Sequence, residues 1–265
     1  MDVTFKLATN FKGIIDIVSG LVDTLTMQYT NDSINIQTMD SSHISLLNIV
    51  MRRDQFLVYD VVGSGLISFN VSSFKPLLKS MKEGDHLRLR HKTGNDEIDA
   101  ILIDGDRKNK YLIKLMDIDS EMINMDNEME HDVFIMTGKA AISRILTDIK
   151  HVESSDTTFM VDGEKIVIET KNENCSLKIK PTPEIMKVMS SPEEKVCVPF
   201  ASRYIQQIQK MLAISKPRIN LKLDKECPML IEMIIRTDDP NETATIQKTH
   251  STMKYYLAPK LVDSE

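Results

Sequence analysis

The sequence predicts an α+β protein built as two similar domains, each made of antiparallel sheets with its helices on one face. Three observations predict it. Short alternating apolar segments outnumber amphipathic helical ones. The two halves of the chain open with the same succession of elements, which is the mark of an internal repeat. Between the halves lies LMDIDSEMINMDNEMEHD, residues 115–132, with seven acids and no Lys, Arg, Gly or Pro. It shows no clean helical or strand period and reads as an acidic linker. An exposed loop within one domain is the alternative; the likeness of the flanking segments favours the linker. The expected division is 1–116, a connecting segment 117–132, and 133–265.

The first half opens on VTFKLATNFKGIIDIVSGLVD followed by DSINIQTMD, the second on DVFIMTGKAAISRILTDIKHV followed by GEKIVIETK. Each begins with an alternating strand and continues as an amphipathic helix. Phe11, Ile14, Ile15, Val18 and Leu21 form one apolar stripe, and Ile142, Ile145, Leu146 and Ile149 the other. The pattern returns later in each half. LISFNVSSFKPLLKSM precedes HLRLRH, and KVCVPFASRYIQQIQKML precedes RINLKL, which makes four strand–helix–strand copies. Hairpins are signalled by Asp162-Gly163 before KIVIE and by ETKNENCSLKI.

The composition is that of an ordinary globular chain: 265 residues, 42% hydrophobic and 27% charged. No apolar run approaches the roughly 20 residues of a membrane span. The N-terminus has no basic region followed by an apolar stretch, so no secretory signal and no membrane partner are expected. Cys175, Cys197 and Cys227 are scattered and odd in number, which argues against a disulfide framework or a zinc site. The six histidines form no metal motif, and MDNEME lacks the glycine and spacing of a calcium loop. No metal and no cofactor are expected.

The net charge of −6 speaks against a nucleic-acid binder, but its distribution does not. The second helix carries Lys75, Lys79 and Lys82 at i, i+4, i+7. The third carries Lys139, then Arg144, Thr147 and His151 on one stripe with Lys150 beside it. The fourth carries Arg203, Gln206 and Lys210 at i, i+3, i+7. The first is weaker, with Lys12 and Ser19 sharing a face with Asp16. Any one such face is an ordinary solvated surface. Four nearly acid-free faces on an acidic chain form, if the repeat puts them on one side, a basic surface suited to a phosphate backbone. Nothing here is built to read bases, and the absence of Trp disfavours single-strand stacking.

Two tempting signals carry no chemistry. Asp40, Ser41, Ser42 and His43 have the residue types of a hydrolase triad, but adjacency is not triad geometry, and no nucleophile elbow surrounds either serine. They read as a turn between strands. Gly63-Ser64-Gly65 lacks the Lys-Ser/Thr of a phosphate-binding loop and reads as a hairpin turn. The chain is expected not to be an enzyme.

IQTMDSSHISLL (36–47), YLIKLMDID (111–119) and KYYLAPKLVD (254–263), in that order, resemble the proliferating cell nuclear antigen family of eukaryotic-type DNA sliding clamps. The order and spacing of the intervening elements extend the resemblance over essentially the whole chain, as a divergent member. The resemblance implies three chains closed head to tail into a ring, helices lining the hole and sheets outside. It implies a processivity factor for DNA polymerase that docks replication and repair proteins and a clamp loader, in a nucleus or a viral replication compartment. Lys12, Lys75, Lys79, Lys82, Arg144, Lys150, His151, Arg203 and Lys210 would face DNA. Gly13, Ser19 and Thr147 stand where the family often has further basic residues. A pocket for short partner peptides would use Met39, His43, Ile44, Ile123, Met125, Pro228, Ala258, Pro259 and Lys260. The subunit edges would be about 108–113, with Tyr111 and Ile113, and about 174–179, with Cys175 and Leu177. Val161 occupies the place of a lysine that the family modifies, so that regulation is not expected. A clamp-like scaffold without loader-dependent DNA function is the alternative reading, and a hydrolase built on the Asp40–His43 segment is a third.

Overall fold

The computed structural model describes residues 1–118, 123, 129–238 and 250–260. The chain divides into two compact units. The first comprises Met1–Ser41, Leu47–Ile123 and Ile234–Met253; the second comprises Ser42–Leu46, Asn124–Met233 and Lys254–Glu265.

The first unit runs β1 (Asp2–Phe5), α1 (Ala8–Val18), β2 (Thr24–Tyr29), β3 (Ser33–Met39), β4 (Ser45–Arg52), β5 (Phe56–Asp60), β6 (Gly65–Asn70), α2 (Lys75–Ser80), β7 (His86–Arg90), β8 (Glu97–Asp104) and β9 (Arg107–Lys114). One sheet has the order β5-β1-β7-β8-β9, and a second run of neighbours is β4-β3-β2-β6. The apolar stripe of α1 is buried as its period demands, with Phe11, Ile14, Ile15 and Val18 at 0–2% exposure. Aromatic rings tie helices to strands: Phe11 lies 5.2 Å from both Phe5 and Phe74, and Phe74 lies 4.8 Å from Phe69.

The second unit runs β10 (Val133–Gly138), α3 (Lys139–Val152), β11 (Asp156–Asp162), β12 (Lys165–Lys171), β13 (Ser176–Ile179), β14 (Met186–Ser190), β15 (Val196–Ala201), α4 (Ser202–Ile205), α5 (Gln207–Leu212), β16 (Ser215–Leu223), β17 (Met229–Ile235) and β18 (Thr252–Leu257). One sheet has the order β13-β12-β11-β15, and another run of neighbours is β14-β10-β16-β17-β18. The turn chemistry is as expected. Asp162 pairs with Lys165 across a two-residue loop in which Gly163 takes a positive φ of 56°.

The repeat inferred from the sequence is visible in the pairing itself. Antiparallel partners β1–β5, β1–β7, β2–β3 and β2–β6 recur nine strands later as β10–β14, β10–β16, β11–β12 and β11–β15.

Three local expectations fail. The second helix is short: a 3-10 turn, Val71–Phe74, capped by the Asn70 side chain, leads into six α-helical residues. Met81 turns extended and is buried, so Lys82 lies outside the helix. Its backbone N–H donates to Asp85 Oδ2 at 2.8 Å. The fourth helix is broken at Gln206 into α4 and α5. The glycine pair at 63 and 65 is no hairpin, because β5 and β6 belong to different sheets. Gly65 is there for proximity: a Cβ would sit 2.6 Å from Tyr29 Cζ.

Candidate functional site

Eight Lys or Arg residues and only two acids, Asp16 and Asp148, lie on the five described helices of a chain whose net charge is −6. The sign of the helices is therefore opposite to that of the protein. In the first unit, Lys75 and Lys79 of α2 are exposed, while Lys12 of α1 is half-buried beside exposed Asp16 and Ser19. In the second, Arg144, Thr147, Lys150 and His151 of α3 are all exposed. The α3 core face (Ile142, Ile145, Leu146, Ile149) fixes which side they occupy. Lys139 is occupied, its Nζ donating to the Ser215 carbonyl at 3.2 Å.

On α4 and α5, Arg203 and Lys210 are exposed. The Arg203 guanidinium lies 4.7 Å from the Tyr204 ring centroid and donates to Tyr204 Oη at 2.9 Å, which presets its orientation. Gln206 does not share the open stripe. Its Nε2 donates to the Leu146 carbonyl at 3.0 Å, so it joins α4 to α3 instead.

The two strands expected as subunit edges are edges. β9 ends the five-stranded sheet and β13 ends the four-stranded one. Tyr111 is half-buried, its hydroxyl 2.7 Å from Ser80 Oγ. Ile113 points inward at 4% exposure, so it offers an edge only its backbone; Leu112, at 57%, faces out. Strand alternation within YLIK could have found Leu112, since Tyr and Ile share one face. Cys175 is exposed in the turn before β13, where Asn172 Oδ1 accepts its N–H at 2.7 Å, and Leu177 is half-buried. Lys108, Lys110 and Lys114 are exposed along β9, a usual guard against indiscriminate edge pairing. Partial burial raises the Asp99 carboxyl, but hydrogen bonds from Lys110 and Arg90, each at 3.0 Å, hold it below the usual range.

Of the expected peptide-pocket residues, the second unit holds His43, Ile44, Pro228, Ala258, Pro259 and Lys260. Ala258 N–H donates to the Ile44 carbonyl at 2.9 Å, which joins two segments more than 200 positions apart. His43 is exposed with φ 57°, in the turn between β3 and β4 that Asp40–His43 were expected to form. Lys260 is exposed; its N–H donates to the Pro199 carbonyl at 2.8 Å and its Nζ lies 2.6 Å from Asp156. Pro259 is half-buried, and the Pro228 carbonyl accepts from His131. In the first unit, Met39 is half-buried at the end of β3 and Ile123 is 46% exposed. Gln37 grips Ile123 in both directions: its Nε2 donates to the carbonyl at 2.9 Å and its Oε1 accepts the N–H at 2.6 Å. Gln37 went unassigned in the sequence, although its outward position on an alternating strand was the available signal. Met125 lies outside the described residues. Among the described residues, no group of His, Cys, Asp and Glu could hold a metal ion.

Comparison with known proteins gives this arrangement its meaning. Residues 1–131 match the family model described as proliferating cell nuclear antigen, N-terminal domain. The proliferating cell nuclear antigen of Chaetomium thermophilum is 25% identical over 272 residues, covering all of both chains. The crystal structure of the corresponding protein from Entamoeba histolytica superposes with a TM-score of 0.83 at 21% identity, covering 98% of each chain. These matches, with the repeated antiparallel fold, support the role of a DNA sliding clamp. Over its N-terminal half in sequence and its whole length in fold, the chain is similar to the proliferating cell nuclear antigen family, and the matches support a divergent clamp of that type.

Proposed function

We propose that this clamp closes as a homotrimer around duplex DNA, with Lys12, Lys75, Lys79, Arg144, Lys150, His151, Arg203 and Lys210 turned to the phosphates and Lys82 beside them. The observation that carries the reading is the cation excess on the helices of an acidic chain. A surface that touches only phosphates binds without regard to sequence and releases counterions as it does so. Mobile Lys and Arg side chains exchange one phosphate for the next, so a closed ring is retained by topology while it slides. A polymerase tethered to such a ring has a raised effective concentration at the primer end.

Head-to-tail contacts between identical chains close a ring when the rotation closes. β9, presenting Leu112 and Tyr111, and β13, with Cys175 and Leu177, are the complementary edges of this reading. Polymerase, loader and repair factors would insert short peptides at Met39, His43, Ile44, Ile123, Met125, Pro228, Ala258, Pro259 and Lys260, a mostly apolar set with polar groups at its margin. We infer a nuclear setting, or a viral replication compartment if the source is a virus, and no catalysis by the chain itself; proteins of this family are non-enzymatic clamps.

A second reading, a clamp-like scaffold with little hold on DNA, is favoured by the short α2, which leaves Lys82 off the helix, and by Gly13, Ser19 and Thr147 on the helical faces. Retention on closed circular DNA against linear DNA, at rising salt, separates the two. A topological clamp stays on circles and runs off linear ends; a scaffold is retained on neither.

A further inference from the structure

The two strands that end their sheets as candidate subunit edges carry charge of one sign. β9 holds Arg107, Lys108, Lys110 and Lys114, and residues 174–180 hold Lys178 and Lys180; neither stretch contains an acid. Alternation sorts these side chains by face. On β9, Lys108, Lys110, Leu112 and Lys114 are exposed on one face, while on the other Asn109 and Tyr111 are half-buried and Ile113 is buried. On the second edge, Ser176, Lys178 and Lys180 are exposed, and Leu177 and Ile179 are half-buried. Each edge therefore has a more apolar face and a cationic one.

The acids nearby lie one strand inward or in the turns, and they offset only part of this charge. On β8, Glu97 pairs in register with Lys114, and Asp99 is shared between Arg90 and Lys110, each at 3.0 Å. Asp104 pairs with Arg107 at the far turn, beside Asp106. On β12, Glu169 is bound to Lys178, while exposed Lys171 pairs in register with Ser176; Glu173 stands in the turn before β13. Both outward faces keep an excess of cations, and the cations alone stand at the open edge.

In the proposed ring, β9 of one chain meets β13 of the next, and the joined sheet keeps its apolar face on one side. Side chains directly opposite each other then lie about 5 Å apart. Every register, parallel or antiparallel, that sets Ser176, Lys178 and Lys180 against three successive outward positions of β9 places at least one lysine directly opposite another. Like charges so placed repel. We propose that this seam is guarded by charge: closure of the chain on its own copies is opposed by the edge lysines and is promoted by mobile anions that screen them. The inference rests on the proposed ring and adds its regulation. Self-association strengthens with ionic strength, whereas binding to phosphates weakens.

The test follows the solution mass of the full-length chain by light scattering over a dilution series. It is run at about 0.1 M and about 1 M sodium chloride, between which the screening length falls from about 10 Å to about 3 Å. The concentration at which the assembly dissociates should fall about tenfold at the higher salt. The double variant Lys108→Glu, Lys114→Gln should assemble more tightly than the wild type at about 0.1 M and lose that advantage at about 1 M. Salting-out of apolar contacts moves wild type and variant alike, so the difference between them isolates the charge. Wild-type association that weakens or stays constant as salt rises overturns the guard, and so does a double variant that assembles no more tightly than the wild type at the lower salt. Leu112→Arg separates this inference from the reading beneath it. Dissociation of Leu112→Arg, with wild-type assembly indifferent to salt, leaves β9 as the edge and removes the guard. A Leu112→Arg chain that keeps its assembly removes both.

Discussion

Asn10 and Arg236, 226 residues apart, exchange hydrogen bonds within one compact unit. Asn10 Nδ2 donates to the Arg236 carbonyl at 2.8 Å, and Arg236 Nε donates to Asn10 Oδ1 at 3.0 Å. Gln55 completes the group, its Oε1 accepting from Asn10 at 2.9 Å and its Nε2 donating to the same Arg236 carbonyl at 3.3 Å. Asn10 is 1% exposed and Gln55 3%, so the bond between them is made out of water, while the bonds to Arg236 are partly buried. The start of α1 is thereby anchored to a segment from the far end of the chain. Replacing Asn10 by Leu strands several buried partners at once. We expect a loss of about 2–3 kcal/mol, read from the midpoint of urea unfolding with an unchanged slope.

The residues proposed to face DNA predict a charge effect that spares the fold. Arg144, Arg203 and Lys210 are exposed, so changing all three to Gln should move the unfolding midpoint little. DNA retention should weaken for every sequence tested, and the slope of log affinity against log salt should become shallower in proportion to the phosphates given up. Retention on circular DNA that matches the wild type at every salt concentration would mean that these side chains do not face the duplex.

Adjacent residues on β9 should behave oppositely. Leu112 is 57% exposed and Ile113 is 4% exposed. If the chain closes as the proposed trimer, Leu112→Arg is expected to leave it folded and to shift its solution mass from three chains of 30.2 kDa toward one, measured by light scattering over a dilution series. Ile113→Ala opens a cavity in the unit's own core and should cost about 2–4 kcal/mol of chain stability. If Leu112→Arg instead keeps the trimer mass, β9 is not the subunit edge.

Acid sensitivity follows from the first β-strand. The side-chain hydrogen bonds from Arg88 to the Asp2 carboxylate, which run against partial burial, hold its pKa below the ordinary value of 3.8. A depressed folded pKa stabilises the fold above the unfolded value and stops doing so as pH falls through the folded one. Asp99, held by Arg90 and Lys110, acts in the same direction. Arg88→Met should therefore flatten the loss of stability below about pH 4, with little further difference between about pH 5 and 8.

Gln37 predicts a positional effect without a charge. Its two hydrogen bonds fix Ile123, and Gln37→Ala removes both. Exchange of the Ile123 amide should rise about fivefold or more, and affinity for a clamp-binding peptide should fall while circular mass and DNA retention stay as they were.

Much of this molecule could be read before folding it. The strands follow period two and the long helices α1 and α3 follow period 3.6, because the core-facing positions must be apolar whatever their partners are. The repeat was legible for the same reason, since two halves with one pattern bury one kind of core. The cation excess on the helices could be counted in the sequence. The places where the reading failed are those where a partner distant in sequence decides. Met81 leaves the helix because its side chain is buried and the turn beyond it closes on Asp85, which puts Lys82 off the stripe. Gln206 has the spacing of an open polar face, but the Leu146 carbonyl needs its amide. Gly63 and Gly65 have the composition of a hairpin, yet the strands on their two sides belong to different sheets.

By itself, then, the sequence determined the class of fold, the sign of the helices, and the family resemblance carried by three short segments, and it was that resemblance that pointed to the two strands that end their sheets. The tertiary structure alone decided that residues 234–253 complete the first unit and residues 42–46 the second, that Leu112 and not Ile113 faces outward, and that Gln37 holds Ile123. Periodicity reports which face of an element is buried; it carries no record of the distant donor, acceptor or ring that buries it.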